Sequence, residues 1–260
     1  MRIALGIEYC GKGYHGWQAQ QRVLTLQTTL EMALSKVANE PIKVFCAGRT
    51  DAGVHATHQI IHFDTQANRV LDAWILGTNS HLPKSISVQW AKPVDETFHA
   101  RFSALSRRYH YLVYNRPARP SLCAALTTWV SYPLDEQRMH QAAQQLMGEH
   151  DFTSFRSAEC QSNTPKRHIF SIHVFRKQDF VVLDITANSF LHHMVRNIMG
   201  VLLEIGSQKK EVSWCSELLA AKNRNLASKT ASPQGLYLTG VRYPDVYELA
   251  SHFRAPFLMG

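Results

Sequence analysis

Residues 46–63 read CAGRTDAGVHATHQIIHF. An apolar, strand-like run from Ile42 to Ala47 stops at Gly48. Arg49, Thr50 and Asp51 follow, and then Ala52 and a second glycine, Gly53. From Thr57 to Phe63 the pattern is again that of a strand. The spacing predicts two strands joined by a glycine-bracketed loop. Glycines there permit a positive φ or a close backbone approach. Polar side chains just beyond a strand end are where a scaffold commonly presents functional groups. On the residues alone the loop reads equally as a tight turn in which Asp51 caps its own backbone.

Outward from this stretch the elements alternate in kind. Ile3, Leu5, Ile7 and Tyr9 recur with period two and predict a half-buried strand. Leu26, Leu30, Leu34 and Val37 recur at helical spacing behind Thr25, a plausible N-cap. A helix near 70–80 and a strand near 86–92 complete a first half, 1–104, which carries the Asp51 loop. A second half, 105–245, holds an aromatic strand at 106–114 and helices at 134–147, 190–205 and 214–221. It also holds strands at 169–176 and 180–186, divided by the turn KQD, and a last strand at 235–243. This order predicts an α+β protein: a mixed, largely antiparallel central sheet with helices against it, in two similar α/β halves. Residues 246–260 form a tail with no functional reading.

The totals narrow the class. Of 260 residues, 45% are hydrophobic and 18% charged, an ordinary balance for a folded soluble chain. Lys and Arg exceed Asp and Glu by 28 to 20, a net charge of +8 that suits a polyanionic partner. The five cysteines are odd in number and contain no CxxC pair, which points to reduced thiols and a cytoplasmic setting. The uncharged run from Pro120 to Leu134 is shorter than the ~20 residues of a spanning helix, so no membrane segment is expected.

Three constellations besides the loop carry possible chemistry. His55, His58 and His62 have a ligand-like spacing, but they fall on a strand pattern with His55 placed outside it, and a metal is not expected. Arg196 lies in an apolar helix, where a buried guanidinium needs a carboxylate or phosphate partner unless it sits on a solvated strip. Tyr109 lies among Arg107, Arg108 and His110, a mixture that suits stacking on a base beside phosphate contacts, or simply a core tyrosine on a basic strand. No GxSxG, GxxxxGK[ST] or GxGxxG signature is present.

The stretch at 46–63 resembles the catalytic motif of the tRNA pseudouridine synthase A family. Four further blocks resemble that family in its own order: EYCGKGYHGWQAQ (8–20), FHARFSALSRRYHYLVY (98–114), NSFLHHMVRNIMGVL (188–202) and SPQGLYLTGVRY (232–243). The resemblance implies the pseudouridine synthase fold and an isomerase. Its substrate would be uridine at positions 38, 39 and 40 in the anticodon stem-loop of tRNAs, and no cofactor would be needed. It implies Asp51 as nucleophile, Arg196 as its ion-pair partner, Tyr109 stacking on the base and moving its proton, and Leu236 on the uracil's other face. Arg49 would fill the space left by the flipped nucleotide, while Arg101, Arg107, Arg108, Lys166 and Arg167 would meet the RNA backbone. It also implies a homodimer spanned by one tRNA. Two other readings are weighed beside it: a tRNA-binding or folding module with little catalysis, and a histidine-ligated metalloenzyme.

Overall fold

The computed structural model describes residues 1–249 and 253–259. Along the chain come β1 (Arg2–Tyr9), α1 (Leu26–Ala38), β2 (Phe45–Cys46), β3 (His55–Asp64), α2 (Thr78–His81), β4 (Ile86–Val94), β5 (Ser106–Asn115), β6 (Thr128–Val130), α3 (Glu136–Gln144), β7 (Gly148–Asp151), β8 (Lys166–Lys177), β9 (Phe180–Ala187), α4 (Met194–Gly206), α5 (Trp214–Ala221) and β10 (Leu236–Arg242). The pairing is mixed and mostly antiparallel, as the α+β reading requires. Two compact units form: Met1–Arg107 with Tyr237–Leu258, and Arg108–Leu236.

In the first unit β1 lies between β3 and β4, antiparallel to both. β2 pairs antiparallel with β3, and β10 pairs with β3 in parallel. From Tyr237 onward the final strand groups with the first unit, although it follows the 105–245 order in the sequence. Ile3 to Ile7 and Tyr9 of β1 are buried whichever face they take, and the Trp90 indole covers Gly6, where a β-carbon would collide with the ring. The expected half-buried strand is therefore covered on both faces from Ile3 to Ile7. α1 begins at Thr25, whose side chain accepts the Thr28 N–H, and packs Leu26, Leu30 and Leu34 into the core. The expected strand at 42–47 shrinks to two residues for a local reason. The N–H groups of Ile42 and Val44 donate to Ser35 Oγ and Glu31 Oε1 of α1, at 2.9 and 3.0 Å, and so leave the sheet ladder. The helix read at 70–80 appears as a π-helical turn, Ala73–Gly77, running into α2. Part of the tail is built in as well: Arg254 pairs with Glu8 at 3.0 Å, and Lys92 with Glu248 at 3.1 Å. Residues 250–252 and 260 of that tail lie outside the described residues.

In the second unit β8 pairs antiparallel with β7 and β9, and β6 runs parallel to β5. The inward residues Val181, Leu183 and Ile185 of β9 and Ile198, Leu202 and Ile205 of α4 are fully buried. Gly206 lets α4 approach α3, since a β-carbon there would stand 2.6 Å from Met139 Sδ. α4 begins four residues later than its apolar pattern suggests. His193 is left-handed, with φ 62°, and interrupts the helical run before Met194. α3 is likewise shorter than read, with Asp135 accepting the N–H groups of Gln137 and Arg138 as its cap. Among the described residues no helix is long and apolar enough to cross a membrane.

Two buried histidines make stability depend on pH. Burial, with His99 and Arg2 nearby, lowers His62 to about 4. In the other unit burial lowers His110 to about 4 against the opposing pull of Asp184. The folded chain keeps both rings neutral where the unfolded chain takes up protons, below the ordinary value near 6.5. Their contribution is therefore full above about 6.5 and is lost as pH falls towards about 4. Urea midpoints should drop across that window, and His62→Gln and His110→Gln should each flatten the drop. An unchanged slope in both variants would show that other groups set the acid limit.

Candidate functional site

The loop after β2 has no ladder of its own, so its polar backbone groups must be satisfied from outside. Four distant elements supply the partners. From the glycine-spotted segment after β1, the Trp17 N–H donates to the Thr50 carbonyl at 2.9 Å. From the end of β1, the Tyr9 hydroxyl meets Thr50 Oγ1 at 2.8 Å. From β3, the Gln59 amide brackets Gly48, donating to its carbonyl at 2.6 Å and accepting its N–H at 3.3 Å. From β5, Arg107 donates to the Ala47 carbonyl through Nε and Nη2, at 3.3 and 3.0 Å. Within the loop the Val54 N–H closes a turn on the Asp51 carbonyl at 3.1 Å.

Two glycines of the first segment make this grip possible. A β-carbon on Gly11 would collide with the Val54 carbonyl. One on Gly16, at φ +82°, would stand 2.9 Å from the Thr50 carbonyl and 3.2 Å from the Ala52 nitrogen. The loop consequently holds Arg49 exposed and Asp51 half-buried on a fixed main chain. A carboxylate presented in this way can act as nucleophile or base. Cys46, at the stem, does not compete, because burial pushes its thiol up to about 12.

The strand histidines are placed differently from the reading. His55 is the first residue of β3 and not a loop residue; its Nδ1 accepts the Gly11 N–H at 3.1 Å, and its ring stacks on Tyr237 at 4.8 Å. His62 Nδ1 accepts the Ala100 N–H at 3.1 Å. These rings brace backbone segments of the first unit.

In the second unit Tyr109 is buried, with the edge of its ring against Phe190 at 5.0 Å and 85°. Arg196 is half-buried in the first turn of α4, not in the middle of a helix. Its Nε donates to the Ala231 carbonyl at 2.9 Å, and the Ala231 N–H returns a bond to the Arg196 carbonyl at 3.2 Å. The strap that receives it, residues 228–232, is fixed at several other points. Thr230 Oγ1 and Arg224 Nη2 both donate to Asn197 Oδ1, at 2.7 and 3.0 Å, and the Asn197 amide donates to the Phe155 carbonyl at 2.8 Å. The Tyr111 hydroxyl donates to the Ser232 carbonyl at 2.6 Å. Gly200 brings α4 against the Lys229 carbonyl, where a β-carbon would not fit. Leu236, at the start of β10, is buried directly after this strap.

The basic residues expected on RNA divide into two groups. Arg107 and Arg167 are buried, and their guanidinium groups serve the protein. Arg107 adds bonds to the Ala104 and Arg101 carbonyls, and Arg167 donates to the carbonyls of Thr164 and Lys166 and to Ser162 Oγ. Arg108 holds Asp184 with two bonds, at 2.8 and 2.5 Å. Arg49, Arg101 and Lys166 are exposed. The sequence reading passed over Tyr9, Gly11, Gly16 and Gln59 as supports of the loop, and Asn197, Arg224 and Thr230 as supports of the strap. The glycine spacing in GKGYHGW was the available signal for the first set; Arg224 gave none.

Comparison with known proteins takes in four of the five blocks whole by family model and only the start of the block at 98–114. The family model described as tRNA pseudouridine synthase matches residues 6–103 and 142–244. A tRNA pseudouridine synthase A from Shewanella sp. (strain ANA-3) is 56% identical over 259 residues, covering 100% of this chain and 99% of its own. The like-named protein of Photorhabdus laumondii is 55% identical over 259 residues, covering 100% and 98%. That of Histophilus somni (strain 129Pt) is 55% identical over 260 residues, covering 100% and 97%. A solved chain from an H/ACA RNP bound to a substrate RNA containing 2'-deoxyuridine aligns over 77% of this chain and 44% of its own. Its 11% identity and TM-score of 0.37 are too slight to bear on the fold.

The grip on the loop can be measured with two glycines. Gly13 and Gly16 both have positive φ, 84° and 82°, but only Gly16 has neighbours within 4 Å of an added β-carbon. Gly13→Ala should lose the conformational penalty of a left-handed alanine, about 1 kcal/mol. Gly16→Ala should lose about 1–3 kcal/mol more by urea unfolding. Equal losses would mean that the segment does not clamp the loop.

Proposed function

The chain belongs to the tRNA pseudouridine synthase family, and on that premise we propose how its residues convert uridine to pseudouridine in tRNA. The observation that carries the proposal is the clamped loop that presents Asp51. The Asp51 carboxylate attacks either C6 of the uracil or C1' of the ribose. The N1–C1' bond breaks, the base turns, a C5–C1' bond forms, and the C5 proton leaves while N1 gains one. Atoms and electrons balance within the nucleotide, so neither a redox partner nor phosphate energy enters. A carboxylate suits the step because its ester-like adduct both forms and releases.

Arg196 supplies the cation that keeps Asp51 ionised, since a close positive charge favours the charged form of a carboxylate. The strap that orients Arg196 supports this role. Tyr109 stacks on the flipped base and takes its proton, and Leu236 covers the other face. Arg49, exposed on the clamped loop, fills the gap that the nucleotide leaves and offsets part of the unstacking cost. Arg101 and Lys166 meet phosphates, whereas Arg107, Arg108 and Arg167 act on the RNA only through the protein surfaces they hold. The target is uridine at positions 38, 39 and 40 of the anticodon stem-loop, bound across a homodimer in the cytoplasm. The five free thiols agree with a reducing compartment.

The test is tritium release from tRNA labelled at uridine C5. Asp51→Ala should lower the rate by about 10⁴-fold or more while still binding tRNA. Arg196→Ala should slow turnover and move the acid limb of the pH–rate profile upward, because the carboxylate loses the charge that lowers its pKa. Activity surviving in Asp51→Ala would sink the assignment, and an unmoved acid limb would remove Arg196 from its role.

A further inference from the structure

Between β4 and β5 the chain turns through residues 99–104 and directs an aromatic edge outward. Phe102 leaves 74% of its surface exposed, and Phe45 of β2 leaves 43%. Single exposed apolar residues are ordinary. These two are set apart by the rings between and behind them. The Phe102 ring lies 4.4 Å from that of His99 at 32°, and His99 lies 5.4 Å from Phe45. Phe45 in turn stacks on buried His62 at 5.1 Å and 21°. Four rings therefore form one cluster, with Phe102 and Phe45 at the surface and His62 buried beneath them. The Arg101 guanidinium carbon sits 5.5 Å from the Phe102 centroid.

Hydrogen bonds hold the backbone of the turn. His99 Nδ1 accepts the N–H groups of Arg101 and Phe102, at 3.1 and 3.3 Å. The His99 N–H donates to Ser103 Oγ at 2.9 Å, and the Leu105 N–H donates to the Arg242 carbonyl at 2.8 Å. One residue links turn and loop: Arg107 donates to the carbonyls of Arg101 and Ala104 and, through the same guanidinium, to Ala47 at the stem of the Asp51 loop. A surface aromatic carried on a backbone already fixed by hydrogen bonds leaves less freedom for binding to remove.

We propose that Phe102, backed by His99, is a stacking platform for an unpaired nucleobase of the tRNA substrate, with Arg101 taking the adjoining phosphate. The proposal rests on the reading of this chain as a tRNA-modifying enzyme. Charge favours RNA over an apolar protein partner, because the platform is flanked by Arg101 on a chain of net charge +8. An exposed cation–π contact is weak, so Arg101 can leave the ring when a base replaces it.

The experiment uses the full chain and an unmodified tRNA transcript, with Kd measured across a salt series and kcat and KM measured by tritium release. Phe102→Ala should raise Kd and KM about 10-fold, leave kcat within about twofold, and leave the salt slope unchanged. Phe102→Tyr should bind as the native chain does, and Phe102→Leu as the alanine variant, since only a π face stacks. Arg101→Ala should lower the salt slope by about one. An unchanged Kd in Phe102→Ala overturns the platform. So does full binding by Phe102→Leu, or a change of oligomeric mass in Phe102→Ala, which would assign the surface to a protein contact. Tritium release surviving in Asp51→Ala would refute the catalytic assignment separately, while the ordered Kd values of the Phe102 series would still support the platform.

Discussion

The backbone of residues 47–54 is the constraint around which the first unit is arranged. A carboxylate can do chemistry only from a fixed position, and this loop contributes little to its own fixing. Buried carbonyls and amides left without partners would cost free energy comparable to a lost hydrogen bond each. The end of β1, the glycine segment after it, the middle of β3 and the start of β5 all converge to prevent this. Gly11 and Gly16 follow from the same need, since a side chain at either position would push the first segment off the loop.

Much of this arrangement was legible. Period-two and helical patterns located nearly all the long elements, and five ordered motifs identified the loop, the first turn of α4 and the final strand. What escaped the pattern has local physical causes. Residues 42–44 look like strand, but their amides are drawn to Ser35 and Glu31, a contact that no window of hydrophobicity contains. The apolar stripe from Phe190 is continuous, yet a left-handed His193 starts the helix at Met194. β6 and β7, with three and four residues, are too short to alternate visibly. β10 read as the close of the second half because chain order hides its parallel pairing with β3.

The site was legible in its residue types and less so in their allegiance. Five basic residues besides Arg49 looked equally fit for phosphate. Burial separates them: Arg107 and Arg167 serve main-chain carbonyls, and Arg108 serves Asp184, while Arg101 and Lys166 face outward. Guanidinium is well suited to either task, because its planar fork matches carbonyl pairs as readily as phosphate oxygens. Arg167 is held by its near neighbours Ser162, Thr164 and Lys166. For Arg107 and Arg108 the distinction depends on partners 60 or more residues away, Ala47 and Asp184. No local motif encodes that.

The clamp on the loop grips main-chain atoms of Ala47, Gly48, Thr50, Asp51 and Val54, together with the Thr50 hydroxyl. A hydrogen bond to a carbonyl or an amide does not depend on the side chain of the residue that offers it. This part of the grip therefore does not draw on the identity of the exposed side chains at 49 and 52. After a gene duplication, a copy altered at one of those exposed positions would keep these main-chain bonds, and its divergence would begin from a loop still held by its backbone.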